Sequence, residues 1–219
     1  NLVKIDLNMI EELGFKAFAN TGLEEVIMPN NLTYIEEQVF ANCDNLRRVV
    51  ISNDCCNFDY SNIFYQSYHI EEIVVEDLNK YYLYENGVLY NSTKTVLYAY
   101  NDKSSSEFVI PEGVEKIALN AFYQNTTLEK VVLPSTLKAI GDKAFYGCTS
   151  LKTFVFLSNT APALEGLYQE GMLYPYANFV DYIELVPENG LEVTIYYNGD
   201  ESYQTIIWQS YFKNYEVIE

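Results

Sequence analysis

One stretch of this chain repeats itself nearly position by position, and this repetition constrains the fold more than any other feature. When Pro111 is placed over Pro134, Phe122 falls on Phe145, and the apolar residues between and beyond them match at the same offset of 23 residues. Repetition with a period of about 20 to 50 residues is typical of solenoids. Because one unit of this size cannot enclose a core, the units are expected to stack on each other.

The strand that ends each repeat can be recognised in earlier units as well. It has the spacing of Leu128, Val131 and Leu133, in which inward and outward positions alternate. The same spacing occurs in residues 23–28, 46–51 and 70–75. Residues 2–7 share it, so the array is expected to begin on an open edge that an upstream segment or a partner covers.

Each unit has a simple physical design. The apolar residues of the strand and an Ala-Phe pair, Ala121-Phe122 in one copy and Ala144-Phe145 in the next, face the neighbouring unit. Burying each phenylalanine stabilises the array by roughly 1.5–3 kcal/mol. The strands are expected to stack in parallel, with the Ala-Phe segment forming a turn or a brief helix on the opposite side of the unit.

The full repeat pattern is P-x-x-V-x-x-I-x-x-x-A-F-x-x-C-x-x-L-x-x-V-x-I, and it occurs in residues 29–51 and again from Pro134. This pattern resembles the BspA-like (Treponema pallidum-type) leucine-rich repeats. The resemblance implies an α/β repeat fold, a right-handed leucine-rich-repeat solenoid of about five to six units with short parallel strands. It also implies a secreted or cell-surface protein, most often bacterial, that works by protein–protein contact or adhesion.

The repeat pattern is interrupted once and is lost after residue 157. In the interruption, Asn86-Gly87 is a strong signal for a two-residue hairpin turn, and a second turn at residues 91–95 favours a small β-meander. A strand at residues 193–197 and a helix that begins near Asp200 resemble the strand–helix cap that closes such arrays. The predicted domains are repeats in 1–76 with a truncated first unit, an inserted β-hairpin module in 77–109, repeats in 110–157 and a C-terminal capping region in 158–219.

The chain is strongly acidic, with a formal net charge of −18. Nucleic acid is therefore a poor partner, because phosphate binding needs a field of Lys and Arg side chains. No apolar run is long enough to form a membrane-spanning helix, so membrane insertion is not expected. We expect an extracellular or cell-surface location, with a signal peptide already removed.

The sequence offers little for catalysis or metal binding. His69 is the one imidazole, so neither an acyl-transfer centre nor a zinc site can be assembled from it. Cys43 and Cys148 occupy equivalent repeat positions, and Cys55 falls on the apolar column of Leu32, so these thiols are predicted to lie in the core. No disulfide framework, cofactor or metal site is predicted, and we expect the chain not to be an enzyme.

The outward positions of the strands are the first candidate binding surface. They form two charged columns and one apolar column across the units. The columns are Glu24, Arg47, Glu71, Glu129 and Lys152; Glu25, Arg48, Glu72 and Lys130; and Ile27, Val50, Val74, Val132 and Val155. An exposed apolar row is unusual on a monomer and favours a contact strip for a protein ligand, such as a host matrix protein or another surface protein. The alternative is a structural role, since cross-strand charge pairs and β-branched residues both suit a sheet.

The tyrosines of the predicted hairpin module are the second candidate surface. They are Tyr81, Tyr82, Tyr84, Tyr90, Tyr98 and Tyr100. Half of them must pack on the body of the protein, and the outward half would be available to stack on sugar rings or to dock a protein loop. The leading hypothesis is a non-enzymatic binding or adhesion module that uses the strand face. The alternatives are a carbohydrate-binding accessory module that uses the tyrosines and a passive spacer in a larger surface protein.

Overall fold

The structure is a computed structural model that describes residues 2–165 and four later strand segments. These segments are residues 168–169, 172–173, 194–197 and 214–217, and side chains are described for residues 2–163. The chain divides into two compact units, Asn1–Thr93 and Lys94–Glu219. Each unit contains stacked parallel strands that turns connect, so the repeats form a parallel-strand solenoid as the sequence predicts.

The described elements of the first unit are short strands and one helical turn. They are β1 (Glu12–Leu13), β2 (Glu25–Met28), β3 (Tyr34–Ile35), β4 (Arg48–Ile51), α1 (Tyr60–Ile63), β5 (Glu72–Val75), β6 (Tyr82–Glu85) and β7 (Val88–Asn91). Strands β2, β4 and β5 form a parallel sheet in which Val26, Val49 and Ile73 are aligned, and β1 pairs in parallel with β3. Strands β6 and β7 form the antiparallel hairpin that Asn86-Gly87 predicts.

The second unit contains the remaining strands. They are β8 (Val96–Tyr100), β9 (Glu107–Val109), β10 (Lys116–Ile117), β11 (Lys130–Leu133), β12 (Ala139–Gly141), β13 (Thr153–Phe156), β14 (Ala163–Glu165), β15 (Tyr168–Gln169), β16 (Met172–Leu173), β17 (Thr194–Tyr197) and β18 (Asn214–Val217). One parallel sheet has the order β8, β10, β12, β14, and the other has the order β9, β11, β13, β17, β18. Strands β15 and β16 pair antiparallel.

In four repeats the Ala-Phe segment, or its equivalent, is a tight turn framed by two residues with positive φ. Around Phe40 these residues are Gln38 and Asn42, with φ of 57° and 54°. The equivalent pairs are Lys16 and Asn20, Asn120 and Gln124, and Lys143 and Gly147. The left-handed conformation favours Asn and Gly, and here it lets the amide of Phe40 donate to the carbonyl of Ile63 in the next repeat, 3.0 Å away.

The turns place the phenylalanines in columns that run through the core. Phe18, Phe40 and Phe64 stack in the first unit, with successive ring centroids 5.6 and 5.5 Å apart. In the second unit the rings of Phe122 and Phe145 stack 4.6 Å apart. Such offset stacking adds about 0.5–1.5 kcal/mol per pair to the gain from burial. The predicted facing of each Phe towards the next repeat is confirmed.

The position three residues after each phenylalanine carries a side-chain hydrogen-bond donor that ties one repeat to the one before it. Cys148 Sγ donates to the carbonyl of Phe122 at 3.0 Å, and Ser67 Oγ donates to the carbonyl of Phe40 at 2.6 Å. In this donor column Cys43 and Asn125 make equivalent bonds to the preceding repeat, whereas Thr21, at the same position, donates to the Phe18 carbonyl of its own repeat. The column explains why a small polar or thiol group stands at this buried position, since a buried carbonyl needs a partner.

Gly141, in β12, marks the closest approach of two repeats in the second unit. A Cβ atom at this position would lie 2.5 Å from the backbone nitrogen of Leu119 and 2.7 Å from the carbonyl carbon of Ala118. Real side chains do not tolerate such contacts, because the backbone on the far side cannot move aside cheaply. The glycine is therefore required by the spacing of the stack, whereas the preceding repeat has Ala118 in the same place.

Several expectations are corrected by the structure. Residues 2–7 form no strand; one bond from the Glu24 amide to the Val3 carbonyl, 3.2 Å long, joins them to the segment that leads into β2. The short strands β1, β3, β10 and β12 were not expected from the pattern. Ala-Phe segments form turns, and α1, four residues long, is the one helix in the described part of the chain, so the α part of the predicted class is slight.

The predicted domain limits stay predictions. Strands β8 and β9, which lie within the predicted insert of residues 77–109, pair in parallel with β10 and β11 and so belong to the repeat stack. Strand β17 is present where the sequence predicts a strand in the capping region. The helix expected after Asp200 lies outside the described residues.

Candidate binding face

The outward face of the first unit is built around Arg48, in the central strand of its sheet. Because β4 lies between β2 and β5, Arg48 is aligned with Glu25 on one side and with Glu72 on the other. Its guanidinium forms an ion pair with Glu25 and another with Glu72, in which Nε lies 3.0 Å from Oε2. Its hydrogen bonds to Glu25 and Glu72 raise the pKa of Arg48. This cation is therefore shared between two carboxylates of its own sheet.

The neighbouring charged column of the first unit is less completely paired. Arg47 Nε lies 3.7 Å from Glu71 Oε1, and the same guanidinium donates through Nη1 to the Asp44 carbonyl at 2.7 Å. Glu24 is exposed and has no ion pair with any of the described side chains. Across both columns, four carboxylates face two guanidinium groups, so the face of the first unit has an excess of negative charge.

Charges are paired one to one on the corresponding face of the second unit. Lys130 Nζ lies 2.8 Å from Glu107 Oε1, and Lys152 Nζ lies 3.0 Å from Glu129 Oε2. Both pairs join neighbouring strands among β9, β11 and β13. Exposed pairs of this kind stabilise a protein by at most about 1 kcal/mol. The face of the second unit is electrically balanced.

An apolar row runs beside the charged columns in both units. In the first unit Ile27 is 46% exposed and Val74 is half-buried, whereas Val50, in the central strand, is 7% exposed. In the second unit Val132 and Val155 are half-buried. All five valine and isoleucine residues of the row are predicted to point outward. Val50 is nearly buried, because side chains of the neighbouring strands cover it on both sides.

Two residues of the second face were missed by the sequence analysis. Strand β9 adds Glu107 to the charged column and Val109, which is 56% exposed, to the apolar row. The signal was present in the sequence: Val109 stands two residues before Pro111, as Val132 stands two residues before Pro134. The sequence analysis places residues 107–109 in the predicted insert of residues 77–109, so the repeat position of Val109 is not recognised there.

The hairpin tyrosines divide into a buried and an outward set. Tyr82, Tyr90 and Tyr100 are 2%, 2% and 5% exposed, so they cannot stack on a ligand. The hydroxyl of Tyr82 donates to the Phe58 carbonyl and accepts from the Phe58 amide at 2.7 Å, which fixes the hairpin to the repeats of the first unit. The outward set is Tyr81, 39% exposed; Tyr84 and Tyr98 are half-buried and lie two residues from Tyr82 and Tyr100, on the same side of their strands.

Three of the four thiols lie in the core, and the fourth, Cys56, is half-buried beside Cys55, which lowers the pKa of Cys56 through a hydrogen bond. All four cysteines are free thiols, and Cys43, Cys55 and Cys148 are buried, as predicted. A hydrogen bond with Cys56, together with burial, raises the pKa of Cys55 well above its usual range, and burial raises the pKa of Cys148 to about 12. The thiols of Cys55 and Cys148 are therefore neutral core groups at physiological pH. His69 is exposed in the turn before β5.

A polar depression of about 570 Å³ lies in the first unit. It is lined by Asn20, Thr21, Gly22, Asn42, Asp44 and Asn45. The lining contains one carboxylate and no base beside a nucleophile, so it lacks the pairing that acyl transfer or glycoside hydrolysis needs. Within residues 2–163 no three His, Cys, Asp or Glu side chains are grouped so that they would hold a metal ion.

The repeats of the chain match a known family. The chain matches the BspA type leucine-rich repeat region in six copies, over residues 1–96 and 93–170. The chain belongs to this family. The membership confirms the resemblance drawn from the repeat pattern, and the six copies agree with a solenoid of about six turns. No curated protein matches the chain significantly.

Two solved structures of bacterial proteins share the fold, and a third gives a weaker match. A leucine-rich repeat protein from Eubacterium ventriosum has a TM-score of 0.56 at 21% identity, and the match covers 89% of this chain and 59% of that protein. The pneumococcal vaccine antigen PcpA has a TM-score of 0.51 at 18% identity, with 95% and 70% covered. A leucine-rich cell surface protein from Faecalibacterium prausnitzii has a TM-score of 0.43 at 17% identity, with 97% and 52% covered. This chain thus spans less than two thirds of the first relative.

The helix content of the chain bears on membrane association. Among the residues that the structure describes, no helix has the length and apolarity needed to cross a bilayer.

Proposed function

We propose that the chain is a non-enzymatic binding module of a secreted or cell-surface protein and that it binds a protein ligand through the outward face of its strands. We also propose, as the family resemblance implies, that the solenoid is right-handed and that a strand–helix cap closes its C-terminal end. The observation that carries the proposal is the exposed apolar row of each unit, in which Ile27 of the first unit is 46% exposed and Val109 of the second unit is 56% exposed. Exposed apolar rows rimmed by charge are typical of protein contact sites.

The charge pairs beside the row support the same function. Arg48, Lys130 and Lys152 are already paired within their own sheets, so the apolar side chains are the part of the face that a ligand can cover without breaking an ion pair. A strand face of this kind gives a ligand a rigid surface, because its inner strands β4, β11 and β13 are held by backbone bonds to both neighbours. Rigid surfaces lose little entropy on binding.

The proposal is tested by a binding screen with a matched variant. The chain and the double variant Ile27→Ser/Val109→Ser are screened against extracellular matrix proteins and a glycan array. We expect a protein ligand whose affinity falls about tenfold or more in the double variant, since each apolar contact contributes roughly 1 kcal/mol or more. Tyr34→Ser is the control, because Tyr34 is 55% exposed on β3, outside both strand faces.

The other functions are distinguished by the same screen. A glycan ligand that is lost on Tyr81→Ala and retained in the double variant would establish carbohydrate binding by the hairpin and contradict the strand-face proposal. A protein ligand that the double variant binds as well as the native chain would also contradict it. The absence of binding to every protein and glycan in the screen would favour the passive-spacer alternative.

A further inference from the structure

We infer that the outward face of the first unit takes a cationic protein segment that carries apolar side chains on one side. The inference rests on the proposed function and names the class of its partner. The face consists of an apolar row and two charged columns. The row is Ile27, Val50 and Val74, and the columns are Glu24, Arg47 and Glu71, and Glu25, Arg48 and Glu72.

The apolar row sets the kind of segment that fits. Its three residues are aligned across β2, β4 and β5, whose spacing is about 4.8 Å, so the row is about 10 Å long. One turn of an α-helix rises about 5.4 Å, which nearly matches the strand spacing. A helix that lies across the strands would therefore place one apolar side chain per turn along the row.

The charged side chains beside the row determine which charge a partner should carry. Arg48 already bridges Glu25 and Glu72, and Arg47 is held by the Asp44 carbonyl and Glu71. A carboxylate on a partner would have to displace these contacts. A lysine or arginine of the partner, in contrast, would pair with Glu24, which has no ion pair among the described residues. It would also reach Glu71, whose carboxylate lies 3.7 Å from the guanidinium of Arg47.

The surroundings of the face reinforce this preference. Residues 2–93 contain 15 acidic and five basic residues. Glu76 and Asp77, at the end of β5, are both exposed and extend the negative charge beyond the row. Such a field attracts a cationic segment and repels a second copy of the unit, a nucleic acid or an anionic membrane.

The small size of the face sets the expected affinity. Three four-residue strands offer an area well below that of a standard protein interface, so one isolated segment should bind weakly, on the order of 10–100 μM. Tight binding would then need several contacts in series or a larger partner.

The test uses two synthetic probes and the full chain. One fluorescent peptide forms an amphipathic helix of leucine and lysine, and the matched peptide has glutamate in place of lysine. Anisotropy titrations should show that the lysine peptide binds at least about tenfold more tightly, and that raising NaCl from about 50 to about 300 mM weakens it about fivefold or more.

Matched variants locate the binding to this face. Ile27→Ser keeps every charge and should weaken the lysine peptide about threefold to tenfold. The pair Glu24→Gln/Glu71→Gln should weaken it by a similar factor. The control pair Glu11→Gln/Glu37→Gln removes the same charge from exposed positions of the same unit beside β1 and β3, and should change the affinity less than twofold.

The possible results separate this inference from the proposed function. If both peptides bind equally and Ile27→Ser weakens both, the strand face binds protein but the charge preference is wrong. If the control pair weakens the lysine peptide as much as Glu24→Gln/Glu71→Gln does, the attraction is diffuse and the inference is overturned. Absence of binding at millimolar peptide also overturns it, whereas the proposed function is judged by the protein screen.

Discussion

The strand faces of the two units have the same register and the same buried side, yet they pair their charges differently. In the first unit a central arginine is shared by Glu25 and Glu72 and further carboxylates remain, whereas in the second unit Lys130 and Lys152 each have one partner. The difference lies entirely in side chains that point away from the core. The repeat thus constrains one side of each strand and leaves the other side able to diverge.

The buried side follows the opposite rule. Leu46 and Leu128 occupy the same repeat position in the two units, and both are 0% exposed. The apolar residues that follow them are equally buried, with Val49 and Val131 at 0%. Stacking therefore depends on the same contacts in both units, and specialisation on the outside costs little stability.

The largest expected effect tests whether the two cores are equivalent. Leu46→Ala and Leu128→Ala should each lower the free energy of unfolding by about 2–5 kcal/mol, through lost burial and the cavity left behind. Urea denaturation of the single variants measures both losses. A difference of more than about 2 kcal/mol between them would show that the buried sides are not equivalent.

A smaller effect is expected from the charges that distinguish the faces. Arg48→Gln leaves Glu25 and Glu72 without their shared cation and should cost up to about 1 kcal/mol, whereas Lys130→Gln breaks one exposed pair and should cost about 0.5 kcal/mol or less. The shift of the urea midpoint, measured at low and at high salt, reports both. Salt should narrow the gap between the variants, and an equal loss in both would contradict the contrast between shared and single pairing.

The smallest effect concerns a turn of the second unit. Hydrogen bonds from the hydroxyls of Ser104 and Ser105 and from the Ser104 amide lower the pKa of Asp102 to about 2. Because the folded pKa is below its ordinary value of about 3.9, the stabilisation is present above pH 4 and is lost as the pH falls towards 2.

Hydrogen exchange measures this local loss. The Ser104 amide, 2.8 Å from Asp102 Oδ1, should lose protection between pH 4 and pH 2, after correction for intrinsic exchange. In Asp102→Asn the protection should be low at both pH values. Protection that is unchanged in the native chain across this range would contradict the role of Asp102.

Most of the long strands could be predicted from the sequence because their period is regular. The spacing of Leu23, Leu46, Leu128 and Leu151 locates β2, β4, β11 and β13 without further information. The short strands could not be predicted, since two or three residues are too few to show alternation. The segment of residues 2–7 shows the opposite error: it has the apolar spacing of a repeat strand, but with one backbone bond to the next repeat it does not form the ladder that defines a strand.

The site was predictable in position but not in pairing. Alternation along β4 predicts that Arg48 and Val50 point outward. No sequence pattern could indicate that Arg48 bridges Glu25 and Glu72, or that neighbouring side chains leave Val50 only 7% exposed. Those outcomes depend on side-chain rotamers and on which strand is central. The tyrosines were ambiguous for a related reason, because Tyr81 and Tyr82 are adjacent and point to opposite sides of their segment.

Gly141 has a consequence for the geometry of the whole stack of the second unit. The backbones of consecutive repeats touch there, with 2.5 Å between the place of a Cβ atom and the Leu119 nitrogen. Even the methyl group of an alanine would therefore push these two backbones apart, so the stacking distance of this pair of repeats depends on the absence of a side chain.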